Sequence, residues 1–238
     1  MVGATRDELA GLEAGALEPY ANLTADGFRR WLSDQYGPEH VDTMLRLYPV
    51  SSARVGPEGG PCAGDPPWSK RCTPYYYLVE TIATDDALVC SARAVAELSP
   101  AGKTFQYLFA FPNGRGPGTT ANFVGHCSQN AFEFGNTFLT GAKGPEALSM
   151  GALMSQQWAN LAKFGNPNGG SAADAAGPWA AYTKVADEAF MFGNTAASST
   201  MHPNKKAQCN FLRWCRGNES GHSSIGAPGM KGQPCTPV

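Results

Sequence analysis

Acidic residues and a histidine stand where two apolar segments end, and these residue types can do acid–base chemistry. Asp7 and Glu8 follow the apolar run Met1–Thr5, and His126, with Cys127 beside it, follows a strand-like segment and a loop. A carboxylate that orients an imidazole serves as the acid and base of nucleophilic hydrolysis. By themselves such residues more often form a solvated strand end and an ordinary loop histidine, so the surrounding pattern must decide.

Cysteines form the second group with chemical potential. The chain has seven, none with the CxxC spacing typical of metal sites, so disulfides and an oxidising compartment are favoured. The segment Cys62–Cys72 is typical of a loop closed by its own disulfide, within a Pro- and Gly-rich stretch, 51–74, that we expect to be an insertion. An odd number of cysteines leaves at least one thiol.

Composition excludes several classes of protein. With 238 residues and 42% hydrophobic side chains the chain can bury a sizeable core, and a net charge of −2 gives no field for binding nucleic acid or anionic lipid. The sequence contains no run of about 18 apolar residues, the length needed to span a membrane, and its N-terminus has no signal-peptide pattern. Asp85 and Asp86 favour capping or ion pairs over metal binding, and we expect neither metal nor cofactor.

Helical patterns separate three predicted strands. The strands are Met1–Thr5, Thr104–Phe111 and Ala189–Gly193, whereas helical spacing covers residues 24–36, 41–48, 75–96, 148–164 and 204–215. The aromatic clusters at Tyr75–Tyr77 and Phe105–Phe111 are more typical of core than of a substrate pocket. Residues 1–215 are predicted to form the folded unit, and 216–238 a flexible tail rich in Gly, Ser and Pro.

Several motifs, in order along residues 1–215, resemble type-B carboxylesterases and cholinesterases. The most specific is Trp158–Asn168, which is similar to the family's Trp-Ala-Asn-Phe-Ala-x-x-Gly-Asp-Pro-Asn segment and is followed by Trp179 and Tyr182. Gly3–Glu8 resembles the family segment that ends in the catalytic acid, and Gly125–Gly135 resembles its histidine loop. The resemblance implies the C-terminal part of an α/β-hydrolase fold, with a mostly parallel sheet flanked by helices.

The same resemblance implies roles for individual residues. Glu8 would be the acid and His126 the base of a triad that hydrolyses carboxylic esters, and Cys90 would pair with Cys209 in a structural disulfide. This sequence departs from the family pattern at Leu9, Cys127 and Gln129. Cys215 and Cys235 are then a further candidate pair, which leaves Cys127 as the odd thiol. The family and the cysteines together imply the secretory pathway or the extracellular space, where Asn22 and Asn218 are candidate glycosylation sites.

The serine of such a triad is missing from the predicted framework. Family chain order places the serine before the acid, and no Gly-x-Ser-x-Gly elbow follows a predicted strand. Ser220 lies in the tail, on the wrong side of His126, and Cys127 as a nucleophile lacks an elbow to present it. We therefore expect a nucleophile half upstream of Met1, and no activity from this chain alone on its small ester substrate. The alternative is a non-catalytic cholinesterase-like module for adhesion or binding.

Overall fold

The computed structural model describes most of the predicted elements. The described residues are 1–10, 20, 22–53, 73–100, 102–112, 124–137, 144–170, 178–193 and 195–217. Most of the predicted insertion, with Cys62 and Cys72, and the tail from residue 218, with Asn218 and Cys235, lie outside them. In the described part of the chain, no helix combines the length and apolar character needed to cross a membrane.

Four strands form one sheet in the described residues, in the order β1-β2-β3-β4. Strand β1 pairs in parallel with β2, β2 in parallel with β3, and β4 antiparallel with β3. The mostly parallel α/β arrangement and the three predicted strands are confirmed, whereas β4 was not predicted because it is short, half-exposed and ends in proline. The strands are β1 Val2–Thr5, β2 Gln106–Phe109, β3 Glu188–Phe192 and β4 Thr200–Pro203.

One face of the sheet carries an aromatic core. The ring of Tyr107 crosses the sheet above Gly3, where a Cβ atom would lie 2.3 Å from the ring, so only glycine fits there. Trp179 stacks on Phe190 with ring centroids 5.0 Å apart. The predicted core role of the Phe105–Phe111 segment is confirmed by the buried cluster, whose other members include Phe109, Phe132, Met150, Met154 and Phe192.

Capping signals delimit the first helices. Helix α1, Ala25–Tyr36, begins after Thr24, whose hydroxyl accepts a hydrogen bond from the Gly27 N–H at 3.1 Å. It ends at Gly37, whose φ of 94° few other residues adopt. The helix buries Phe28, Trp31, Leu32 and Tyr36, and α2, Val41–Leu47, follows.

The single helix predicted over residues 75–96 is divided by a π-helical turn. Helix α3, Pro74–Thr84, passes into the π segment Asp85–Val89 and then into α4, Cys90–Leu98. The buried Asp85 accepts hydrogen bonds from the Tyr48 hydroxyl at 3.1 Å and the Lys205 ammonium at 2.7 Å. Burial, followed by the charge of Asp85, raises the pKa of Tyr48. Asp85 therefore forms an ion pair, as its sequence context favoured.

Three helices lie in the C-terminal half of the described chain. They are α5 Asn130–Glu133, α6 Pro145–Phe164 and α7 Lys206–Gly217. Helix α6 starts three residues before its predicted beginning, with Pro145 in its first turn, and α7 starts two residues after its own. The Cys90–Cys209 disulfide joins the start of α4 to α7 across a sequence separation of 119 residues.

A buried ion pair fixes α4 to the turn before β3. The Arg93 guanidinium donates to both Asp187 oxygens, at 2.7–3.2 Å, and both side chains are about 95% buried. Asp187 also accepts from the Tyr182 hydroxyl and the Asn204 amide. Burial alone would raise the pKa of Asp187, but these hydrogen bonds and the Arg93 charge hold it below its usual value.

Removing the disulfide should destabilise the fold. Because the bridge closes a loop of 119 residues, the double variant Cys90→Ser/Cys209→Ser should lose about 4–5 kcal/mol of unfolding free energy on the chain-entropy model. Urea unfolding of the oxidised protein measures the change. The matched control is Cys127→Ser, which removes an exposed free thiol and should leave the midpoint unchanged. Equal midpoints for the double variant and the unmodified protein would contradict a structural role for the bridge.

Breaking the buried ion pair should cost a similar amount. Arg93→Met leaves Asp187 buried without its cation and should lower the unfolding free energy by about 3–5 kcal/mol at neutral pH. Arg213→Met is the control, since Arg213 is 57% exposed and its ion pair with Glu97 should contribute about 1 kcal/mol or less.

The pair should also contribute to acid sensitivity. Since the pKa of Asp187 is lower in the folded state, its stabilisation is complete above the unfolded pKa and is lost as pH falls through the folded one. Asp187→Asn should lack that part of the acid dependence in unfolding measured between neutral pH and about pH 2. Identical pH profiles for this variant and the unmodified protein would contradict the assignment.

Candidate active site

Parallel pairing brings the predicted acid and base to one edge of the sheet. Thr5 and Phe109, the last residues of β1 and β2, are register partners, so both chains leave the sheet at the same edge. Glu8 begins a 3₁₀ turn, Glu8–Ala10, directly after β1, and His126 lies in the loop beyond β2. The carboxyl edge of parallel strands is where ligand sites of α/β proteins lie.

Glu8 and His126 are in direct contact. The Nδ1 atom of His126 lies 2.6 Å from Oε2 of Glu8. When the carboxylate is ionised, Nδ1 must carry the proton and donate it, which leaves Nε2 as the basic nitrogen. No described residue forms a hydrogen bond with Nε2, and the His126 side chain is 38% exposed. The imidazole is thus oriented at one nitrogen and accessible at the other.

The Glu8 carboxylate is held by more than the histidine. Its other oxygen, Oε1, accepts the Thr5 backbone N–H at 2.5 Å, and the residue is 5% exposed. The next residue, Leu9, donates its N–H to the Thr84 hydroxyl, which in turn donates to Glu80. The 3₁₀ turn Glu8–Ala10 is therefore fixed to β1 on one side and to α3 on the other.

Asp7 is also buried, but it has a different partner. Its Oδ2 accepts the Val124 N–H at 3.0 Å and its own N–H donates to the Val124 carbonyl at 3.0 Å. Arg6 forms an ion pair with the same oxygen. Asp7 thereby connects the chain after β1 to Val124, just before the histidine loop. The sequence did not predict this role of Asp7. The only signal for it was the pair of adjacent acids at the end of a strand.

The histidine loop is a compact turn. The Ser128 N–H donates to Gly125 and the Asn130 N–H donates to Cys127. Cys127 takes a φ of 60°, a conformation that glycine adopts more readily, and its thiol is free and exposed. Both Cys127 and its neighbour His126 are accessible to solvent in this turn.

A tyrosine lies beneath the loop. The Tyr107 hydroxyl donates to Glu133 at 3.4 Å and also has a side-chain hydrogen bond with Gln129. Burial, followed by the charge of Glu133, raises the pKa of Tyr107, to which Glu8 also contributes. Burial raises the pKa of Glu133, and its hydrogen bond with Tyr107 opposes that shift. The neutral hydroxyl thus packs between β2 and the residues that follow His126.

The remaining predicted sites are separate from this edge. Asn22 is exposed ahead of α1, and Cys215 is disulfide-bonded. Among the described residues, no group of three or more His, Cys, Asp or Glu side chains could hold a metal ion. Asp85, for which the sequence favoured an ion pair over metal binding, is paired with Lys205.

Comparison with known proteins agrees with this architecture. The model of the carboxylesterase family matches residues 70–212, more than half of the chain, including His126 but not Glu8. The crystal structure of Aspergillus niger EstA superposes with a TM-score of 0.57 at 14% identity, over 90% of this chain. The chain spans 39% of the length of EstA, and no curated protein sequence matches it. This chain belongs to the carboxylesterase family, and its sheet and flanking helices form part of a carboxylesterase-like α/β-hydrolase fold.

Proposed function

We propose that this chain supplies the acid, Glu8, and the base, His126, of a serine hydrolase that cleaves carboxylic esters. The observation that carries the proposal is the 2.6 Å contact between Glu8 Oε2 and His126 Nδ1 at the carboxyl edge of the sheet. Family membership supports ester hydrolysis as the reaction class.

The proposed mechanism follows from the two ring nitrogens. Nε2 of His126 takes the proton of the serine hydroxyl as it attacks the ester carbonyl, and Glu8 stabilises the resulting imidazolium through Nδ1. Glu8 keeps its charge throughout. The imidazolium then gives the proton to the departing alcohol, and a water molecule repeats the cycle on the acyl-enzyme.

The nucleophile and oxyanion donors are proposed to come from a preceding part of the complete protein. Two observations support this: the chain order serine, acid, histidine in α/β-hydrolases, and the 39% share of EstA that this chain spans. The small ester is accordingly a substrate of the completed protein. We also propose a secretory or extracellular location, which the Cys90–Cys209 disulfide supports, with glycosylation at Asn22 and Asn218.

The 238-residue chain alone should not hydrolyse p-nitrophenyl acetate above background. Loss of the nucleophile costs about 10⁶-fold in turnover, and loss of an oxyanion donor about 10²-fold or more besides. The assay compares the unmodified chain with His126→Ala, and both should give the same rate. Turnover that depends on His126 would overturn the proposal, and Cys127→Ala would then test whether the neighbouring thiol is the nucleophile.

Glu8→Gln should uncouple the histidine from its acid. In the chain alone, the hydrogen-bonded Nδ1 proton of His126 should give a low-field NMR resonance that is lost in Glu8→Gln. In the complete protein, the same change should lower kcat by about 10⁴-fold with little effect on KM, because the amide favours the wrong imidazole tautomer. The control is Glu146→Gln, an exposed substitution on α6 that should change neither measurement. Retained kcat in Glu8→Gln would show that Glu8 is not the acid.

A further inference from the structure

A cavity of about 630 Å³ lies on the face of the sheet opposite the aromatic core. Its floor includes Ala4, Leu108 and Met191, which are register neighbours on β1, β2 and β3. Neither Glu8 nor His126 lines it. The cavity therefore does not include the Glu8–His126 pair, and its volume falls in the range of sites for small molecules.

The walls of the cavity are mostly apolar. Val89 and Ala92, from the π segment and α4, face the sheet across the cavity, and Leu47 closes one side. The three amide side chains in the lining already have partners: the Gln106 and Asn204 amides bond each other reciprocally, and Gln208 donates to the Leu47 carbonyl. These amides therefore offer little to a ligand beyond shape, so an apolar body suits the walls.

The charged side chains that line the cavity are all basic. Arg6, Arg46 and Lys205 contribute to the lining with His202, whereas no aspartate or glutamate among the described residues does. Asp85 neutralises Lys205, and Asp7 neutralises Arg6.

Arg46 is different, because no described carboxylate pairs with it. Its side chain is exposed and donates a hydrogen bond to the Thr43 hydroxyl at 2.8 Å, and no described residue accepts a hydrogen bond from the His202 ring. A cavity with apolar walls and an unneutralised guanidinium is complementary to a ligand that combines an apolar body with one negative charge.

We propose that this cavity binds a medium-chain carboxylate, with its hydrocarbon chain along the sheet face and its carboxylate at Arg46. A neutral apolar molecule would gain no ion pair with the exposed Arg46 guanidinium, and a small inorganic anion would leave the apolar walls without contacts. The proposal does not rest on the proposed esterase function, because none of the residues assigned to the triad takes part.

Calorimetric titration of the 238-residue chain with decanoate, below the concentration at which it forms micelles, tests the proposal. We expect saturable binding at one site per chain, and Arg46→Gln should weaken it about threefold to fivefold, as expected for loss of an ion pair to an exposed guanidinium. Arg30→Gln is the matched control, since Arg30 is exposed on α1 and does not line the cavity. Decanol should bind the unmodified chain more weakly and respond little to Arg46→Gln.

A second variant locates the hydrocarbon chain. Met191→Trp places a larger side chain on the cavity floor and should abolish decanoate binding, while thermal unfolding and circular dichroism report that the chain remains folded. The proposal is overturned if decanoate does not saturate, if decanol binds equally well, or if Arg30→Gln weakens binding as much as Arg46→Gln. It is also overturned if folded Met191→Trp binds decanoate normally, or if a segment of the chain itself occupies the cavity and prevents binding.

Discussion

The parallel pairing of β1 with β2 is the constraint from which the site geometry follows. Parallel neighbours cannot be joined by a tight turn, so a long crossover must separate them, and here it holds α1 to α4. The crossover returns the chain so that both strands end at the same edge, which places Glu8 and His126 in contact. The packing of this crossover is therefore part of what brings Glu8 and His126 together, although neither residue lies in helices α1 to α4.

Two connections hold the crossover in place by different physical means. The Cys90–Cys209 bridge restricts the unfolded chain, whereas the Arg93–Asp187 pair acts only in the folded state, where its burial makes every hydrogen bond necessary. Both originate in α4 and reach the C-terminal part of the chain. Helix α4 thus links the crossover to the turn before β3 and to α7.

Local signals in the sequence were sufficient for several element boundaries, whereas the fold class was predicted from the family resemblance. Thr24 as N-cap and Gly37 as terminator delimit α1, and the predicted strand Thr104–Phe111 contains β2. The π turn at Asp85 was not predictable, because its stabilising contacts come from Tyr48 and Lys205, which are distant in sequence. The role of Asp7 was hidden for the same reason: its partner, Val124, lies 117 residues away.

The resemblance assigned Glu8 rather than Asp7, and the contacts of the two acids explain how adjacent carboxylates can have different roles. Glu8, the first residue of the 3₁₀ turn, contacts the histidine ring, whereas Asp7, just before the turn, bonds to the backbone of Val124. Exchanging the two residue types would shorten the side chain that must reach His126. Side-chain length, together with the geometry of the turn, therefore decides which acid meets the base.

Side-chain size likewise distinguishes the two faces of the sheet. On one face, Phe109, Phe190 and Phe192 fill the space beneath α6, and Gly3 leaves room for Tyr107. On the other face, the small side chains of Ala4 and Ala189, with Ala92 of α4, line the cavity. The same backbone alternation that closes one layer thus leaves a cavity in the other.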